Sequence, residues 1–403
     1  MQATLHARAQ GAGARGSAYR RATCVPPGRP TRRRPSPTRA AFGGLESLIS
    51  SALQSPAAPV AAVSLQFTPL VAAAGGAVLG LAAVCKWLVT GRILGISGTL
   101  KGLVTGDRSS WRWAFLAGLL GGGAVAGAVT PGAFGGLPDT YTVSRAALGG
   151  LLVGVGASMG NGCTSGHGIC GNARLSPRSF AYTLVFMAAG AAAATLTGSA
   201  AALGVVQQRP PLVLSPSDVV ANQGAMLLAT ALLAVGACGA AARRAAAGAH
   251  QRAGALLTEV ITGALFAWGL TYSTMVSPAK VAAFLSPLAA CWDPTLAFVM
   301  GGALAVALPG FQWAARSASA PPKPLCCDAF ASPPTAAVDA RLCAGGALFG
   351  AGWGISGACP GPALVAIAAS LSPPPQIAAY VAAMCAGFWL EGAVTKALRA
   401  QPA

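Results

Sequence analysis

Hydrophobic positions in this chain run continuously instead of alternating, in stretches of about 20 residues, the length an α-helix needs to cross the hydrocarbon core of a bilayer. Such stretches lie near 66–90, 113–131, 143–162, 179–206, 223–242, 253–271, 295–315, 339–357 and 375–397. They predict an all-α polytopic membrane protein with about nine transmembrane helices. Four further apolar stretches, 92–105, 163–172, 273–287 and 359–371, are too short to span, and each overlaps or follows a glycine-rich interruption. The interruptions read Gly91-Arg-Ile-Leu-Gly-Ile-Ser-Gly98, Gly160-Asn-Gly-Cys-Thr-Ser-Gly-His-Gly168, Gly269-Leu-Thr-Tyr-Ser-Thr-Met-Val-Ser-Pro278 and Gly352-Trp-Gly-Ile-Ser-Gly-Ala-Cys-Pro-Gly361. At membrane depth unwound backbone is tolerated only where it is buried in protein or lines a cavity. Each break therefore predicts a turn into a re-entrant half-helix beside a binding site near the midplane.

The breaks repeat. An Ile-Ser-Gly break (Ser97) and a Cys-Thr-Ser-Gly break (Cys163) in the first half are answered by a Tyr-Ser-Thr break (Ser273) and an Ile-Ser-Gly-Ala-Cys break (Cys359) in the second. This predicts two pseudo-symmetric repeats of inverted topology, residues 66–242 and 253–397, with substrate at their interface.

Composition agrees with a membrane protein: 54% of the 403 residues are hydrophobic and only 9% charged, with a mean hydropathy of +0.61. The 53 glycines suit helices that pack closely through small residues. The net charge of +18 suggests nucleic acid until it is divided along the chain. Nine arginines and no acid fall within residues 1–40, among Ser, Thr and Pro, and the first acid is Glu46. That is the chemistry of an organelle transit peptide, expected over residues 1–55, with a plastid favoured and a mitochondrion second. The remaining bases flank the apolar runs as topology anchors, and no aromatic residues interleave with them as a nucleic-acid surface requires.

The run Asn161-Gly-Cys-Thr-Ser-Gly-His-Gly-Ile-Cys-Gly-Asn-Ala-Arg-Leu-Ser-Pro-Arg-Ser179 resembles the signature of the sulphur-transport (YeeE/YedE) membrane family, and three more segments agree with it. They are Gly91–Gly98, the stretch from Val276 through Phe284 to Gly302, and Gly352–Leu364. The resemblance covers about residues 66–397 and is to two family halves fused in one chain. It implies a transporter that passes thiosulfate or a related sulphur anion through a narrow, cysteine-lined constriction, by thiol contact and without covalent chemistry. Cys163 and Cys359 match two of the family's three cysteines. The third falls at Gly95, so either the substrate differs or Ser97 and neighbouring backbone N–H groups replace that contact. The implied partners are the sulphur anion, the lipid bilayer and a cytosolic or stromal sulphur-carrier protein.

The residue chemistry agrees in kind. Backbone N–H groups at half-helix starts give positive potential without a fixed charge, which holds an anion without trapping it. Gly162, Gly166, Gly357 and Gly361 let that backbone come close. Thiols at Cys163 and Cys359 are weak donors suited to a polarisable sulphur anion; the alternative for each is an inert buried residue. Thr164, Ser165, Ser273 and Ser356 complete the candidate translocation set with Ser97. His167, four residues after Cys163, can stabilise a thiolate, donate to the anion or cap a glycine-rich turn. Lys280 either adds positive charge near the site or snorkels to the interface. Glu259 is expected at headgroup level near a helix start, whereas an intramembrane position would suggest proton coupling.

No metal or cofactor is expected. The cysteines form no C-x-x-C pair, and Gly166-His-Gly-Ile-Cys-Gly171 fits G-x-G-x-x-G in letters only, since no strand precedes it and no acid follows about 20 residues on. Two other function classes remain: a membrane sulphurtransferase with Cys163 as a persulfide-forming nucleophile activated by His167, and a non-transporting membrane scaffold.

Overall fold

The computed structural model describes residues 63–206, 209–213, 218–245, 251–316, 323–331 and 337–400. The expected transit segment lies outside them. In chain order, and apart from single turns at Pro131–Phe134 and Ser199–Ala202, the helices are α1 (Pro69–Thr90), the short α2 (Ile96–Val104), α3 (Ser110–Val129), α4 (Val143–Gly160), the short π-helical α5 (Thr164–Gly171), α6 (Pro177–Leu196), α7 (Asp218–Ala245), α8 (Gln251–Tyr272), the short α9 (Pro278–Phe284), α10 (Thr295–Arg316), α11 (Ala340–Ser356), the short α12 (Pro360–Ala368) and α13 (Pro375–Ala400). Each predicted span is a helix, and each predicted half-helix is a short one. α1, α3, α4, α6, α8, α10 and α13 are long and apolar enough to cross a membrane, and α11 is so together with α12, to which it is bent by 42°. α7 covers the predicted run 223–242, and its described apolar stretch is Leu227–Ala240.

The two halves interleave. α1 packs on α8 and α10, α3 on α8, α4 on α11 and α13, and α6 on α11. Each of these pairs joins one helix from the first half to one from the second. Lipid is as apolar as leucine, so such pairs are held by close backbone approach at small residues. A Cβ on Gly76 or Gly80 of α1 would lie 2.1 or 2.4 Å from the Val299 or Ala303 carbonyl oxygen of α10. On α4, Gly150 and Gly154 meet the Tyr380 and Met384 carbonyls of α13 in the same way, at 2.2 Å each.

Helix propensity alone would make alanine stabilising at these glycines. Gly150→Ala is expected instead to destabilise the protein by about 1–3 kcal/mol, because the helices must separate. Gly121→Ala, whose new methyl meets open space, is the control. Thermal unfolding of the detergent-solubilised protein compares them, and equal melting temperatures would refute the close-packing argument.

Candidate functional site

Four long helices end in left-handed turns, at Gly91 (φ 69°), Asn161 (φ 64°), Thr274 (φ 61°) and Gly357 (φ 64°). The chain then extends, and one residue caps the short helix that follows. The caps are Gly95 for α2, Cys163 for α5, Ser277 for α9 and Cys359 for α12. Both candidate thiols therefore hold the same structural position, and Gly95 holds it too. Sequence reasoning picked Ser273 in the third break where the cap is Ser277, because the extended linker differs in length among the breaks.

Cys163 and Cys359 are each 1% exposed and approach one another across Thr164. Thr164 Oγ1 lies 3.6 Å from Cys359 Sγ, and Ser165 Oγ lies 3.3 Å from Cys163 Sγ. Ser165 Oγ also accepts the Ile96 N–H at 3.4 Å, so the first, second and fourth breaks meet in one polar cluster. Gly357 brings in the third: a Cβ there would lie 2.6 Å from the Pro278 carbonyl oxygen.

Beside this cluster is a cavity of about 20 Å³, lined by Cys163, Thr164 and Ser165 and by an apolar collar that includes Leu79, Phe266, Leu270, Met275 and Met300. It has room for about one water. A tetrahedral oxyanion is larger than that. Met275 and Met300 place further polarisable sulphur at the collar. Thr274 and Val276, on either side of Met275, line a second cavity of about 600 Å³ together with Ser277 and Lys280. The third break thus lies between the two cavities. Thr274 is a β-branched residue in left-handed conformation, a backbone state that persists only where the surroundings impose it.

The other predicted residues sort into groups. Ser273 and Ser356 turn their hydroxyls back onto their own helices, to the carbonyls of Leu270 (3.1 Å) and Gly352 (2.7 Å). His167 has both ring nitrogens engaged, Nδ1 with Ser179 Oγ at 3.0 Å and Nε2 with the Gly160 carbonyl at 3.1 Å. Gly162 makes room for that ring, since a Cβ would lie 2.7 Å from it. Gly166 borders open space. Ser97 is 1% exposed and its hydroxyl has no hydrogen-bond partner among the described residues. Gly361 lines the small cavity.

The sequence did not reveal what holds the breaks in place. Three of the chain's five tyrosines donate to carbonyls freed where helices stop. Tyr141 bonds Ser356 O and Tyr380 bonds Ala358 O, both at 2.8 Å, while Tyr182 reaches Gly156 O and Gly162 O. Arg145, 2% exposed, donates to Ile355 O (2.8 Å), Thr197 O (3.0 Å), Thr197 Oγ1 (2.9 Å) and Ser199 Oγ (2.7 Å). Among the described residues it forms no ion pair with an acid.

Two charged residues find partners inside the protein. Glu259 is fully buried, 2.6 Å from Lys86 Nζ and 3.4 Å from Arg92 Nη1. Lys86 is itself fully buried and lies 3.7 Å over the Phe115 ring. Lys280 does not snorkel, for it donates to Gln66 O at 2.6 Å and pairs with Asp293 at 3.6 Å. On the loop after α2, hydrogen bonds from Ser109 and Arg112 hold the Asp107 carboxyl down to about 2.

Residues 45–193 match the family model described as sulphur transport, and residues 255–400 match a family of unknown function (DUF6691). A probable transporter of Xylella fastidiosa (strain 9a5c) is 42% identical over 125 residues, 31% of this chain and 81% of its own length. The chain belongs to the sulphur-transport family. A second probable transporter, from Xylella fastidiosa (strain Temecula1 / ATCC 700964), is 42% identical over 124 residues, 31% of this chain and 91% of its own length. No solved structure matches the chain. As a member of the sulphur-transport family it is an integral membrane transporter. Each of these relatives is about a third the extent of this chain, and different family models match its two halves.

Proposed function

We propose that this transporter carries thiosulfate, or an inorganic sulphur anion of the same class, through the constriction framed by Cys163 and Cys359. The observation that carries the proposal is the meeting of two thiols from opposite halves, each capping a half-helix, on either side of Thr164. A thiol is a weak, polarisable donor and a helix start gives only partial positive charge, so the pair binds a soft anion without trapping it. Arg145, a buried cation bonded to the Ile355 carbonyl that precedes the Cys359 turn, adds positive potential with no acid among the described residues to cancel it. The interleaved helix pairs favour a site shared by two related halves, and the arginine-rich leader favours a plastid membrane. A sulphur-carrier protein on the receiving side is consistent with this reading.

The sulphurtransferase alternative requires a base for Cys163. His167 is the residue cast in that role, and both its nitrogens already bond Gly160 and Ser179.

Uptake of radiolabelled thiosulfate into liposomes containing the protein tests the proposal. Cys163→Ala and Cys359→Ala are each expected to slow uptake about tenfold or more, the loss of one hydrogen bond to a charged group. Wild-type rates in both variants would sink it.

A further inference from the structure

Cys85 of α1 and Cys238 of α7 take no part in the constriction, and their side chains touch. We propose that they form a redox-active dithiol, a site that a small peroxide converts to a disulfide joining α7 to α1. The inference does not depend on which anion the protein carries.

Both residues are free thiols, buried to 3% and 1% exposure, and hydrogen-bonded to one another. Cys238 also bonds Thr258 of α8. The Thr258 hydroxyl donates to the Gly254 carbonyl at 2.8 Å, so its oxygen accepts from the Cys238 thiol, and Cys238 accepts from Cys85. One chain of hydrogen bonds thus runs from α1 through α7 into α8 and holds the two sulphurs side by side. An isolated buried thiol is inert packing. Two in contact from different helices are the halves of a disulfide, since their side chains already converge.

α7 can make the small approach that closing the bond requires. It packs on α1 and α8, and its Leu232 and Leu233 are exposed, which places it at the edge of the bundle. α1 is held between α8 and α10. Access selects the oxidant. Cys85 and Cys238 share one buried cluster with Val89, Ala255 and Cys326. Cys326 belongs to the segment 323–331, in which the Leu325 and Cys326 N–H groups donate to the Leu88 and Val89 carbonyls at 3.1 and 2.8 Å. That segment straps the last turn of α1. A bulky disulfide has no path to sulphurs buried this far, whereas hydrogen peroxide is small and uncharged.

The reaction balances with peroxide alone. One sulphur attacks a peroxide oxygen, the O–O bond breaks, and the thiol proton leaves with the departing hydroxide as water, giving a sulfenic acid. The second sulphur then attacks the sulfenic sulphur, the S–O bond breaks, and its thiol proton leaves with that hydroxide as a second water. Two electrons pass from the thiol pair to the peroxide.

Peptide mapping of the full-length wild-type protein tests this without requiring any variant to fold. The solubilised protein is treated with hydrogen peroxide, denatured, alkylated and digested. The peptides carrying Cys85 and Cys238 are expected to appear linked, two hydrogens lighter than their sum, and to separate with dithiothreitol. Disulfide is expected to exceed sulfinic acid at Cys238 at least about tenfold, because the neighbouring thiol captures the sulfenic acid before a second peroxide does. Oxidation is also expected to raise the melting temperature by about 5 °C, and Cys238→Ala to lose that shift. Cys85 and Cys238 both still open to alkylation after Cys327, the less buried neighbour of Cys326, has been oxidised would overturn the proposal. So would sulfinic acid at Cys238 beside an intact Cys85 thiol, or an equal thermal shift in Cys238→Ala.

Discussion

Glu259→Leu is expected to cost about 3–5 kcal/mol of stability, because it leaves Lys86 as an unpaired charge buried in protein. Both partners are fully buried and 2.6 Å apart. The remaining neighbours of Lys86 cannot replace the acid: the Phe115 ring supplies a cation–π contact worth about 2 kcal/mol when desolvated, and Arg92 is a second cation. Yield of monodisperse protein after solubilisation, together with its melting temperature, measures the effect. The double variant Lys86→Met, Glu259→Leu is expected to recover most of the loss, since removing both charges abolishes the desolvation penalty along with the attraction. A single variant as stable as wild type would show that the pair carries no such charge burden. A double variant no better than the single would show that the carboxylate has a role beyond neutralising Lys86, and the intramembrane acid would then return as a candidate for proton coupling.

Arg145→Met is expected to release the fourth break. The guanidinium satisfies two carbonyls and two hydroxyls at the ends of α11 and α6, and hydrogen bonds from a charged donor contribute about 1.5–3 kcal/mol each. Without them the Thr197 carbonyl loses its guanidinium donor and the Ile355 carbonyl keeps only the longer bond from Ser199 Oγ at 3.3 Å, so the turn at Gly357 loses its main anchor one residue before Ser356. Lysine does not restore it, because a single ammonium cannot reproduce a planar fork spread over four acceptors. Cys359 reports the outcome directly: its alkylation by a small permeant maleimide is expected to be at least about tenfold faster in Arg145→Met and in Arg145→Lys, the effect of about 1.4 kcal/mol. Unchanged alkylation would mean that Tyr141 and Tyr380 hold the turn without it. The same variant removes a buried cation beside the proposed path, so thiosulfate uptake is expected to fall with it.

These residues mark the limit of what local pattern reveals. Arg145 and Tyr380 are far apart in sequence from the turn they support, and nothing in their immediate neighbours signals a partner. The Lys86 and Glu259 pair is likewise joined only by the packing of α1 on α8. Glu259 near a helix start reads as an interfacial acid until α1 brings a lysine to it. His167 was open between thiolate partner and turn cap; Ser179 on α6 and the Gly160 carbonyl, supplied by the fold, engage both its nitrogens. The Ser273 hydroxyl is likewise engaged by the Leu270 carbonyl one turn back.

The sequence by itself determined the long apolar helices, the four breaks and the half-helices after them, because helix length and glycine punctuation are properties of neighbouring residues in a bilayer. Tertiary structure alone decided that Cys163 and Cys359 share an N-cap position and meet across Thr164, that the collar beside them is apolar, and that tyrosines and a buried arginine hold the turns. Those facts depend on which helix faces which. In lipid that choice is made by close backbone contacts at small residues between the two halves, and such contacts leave no period in the sequence.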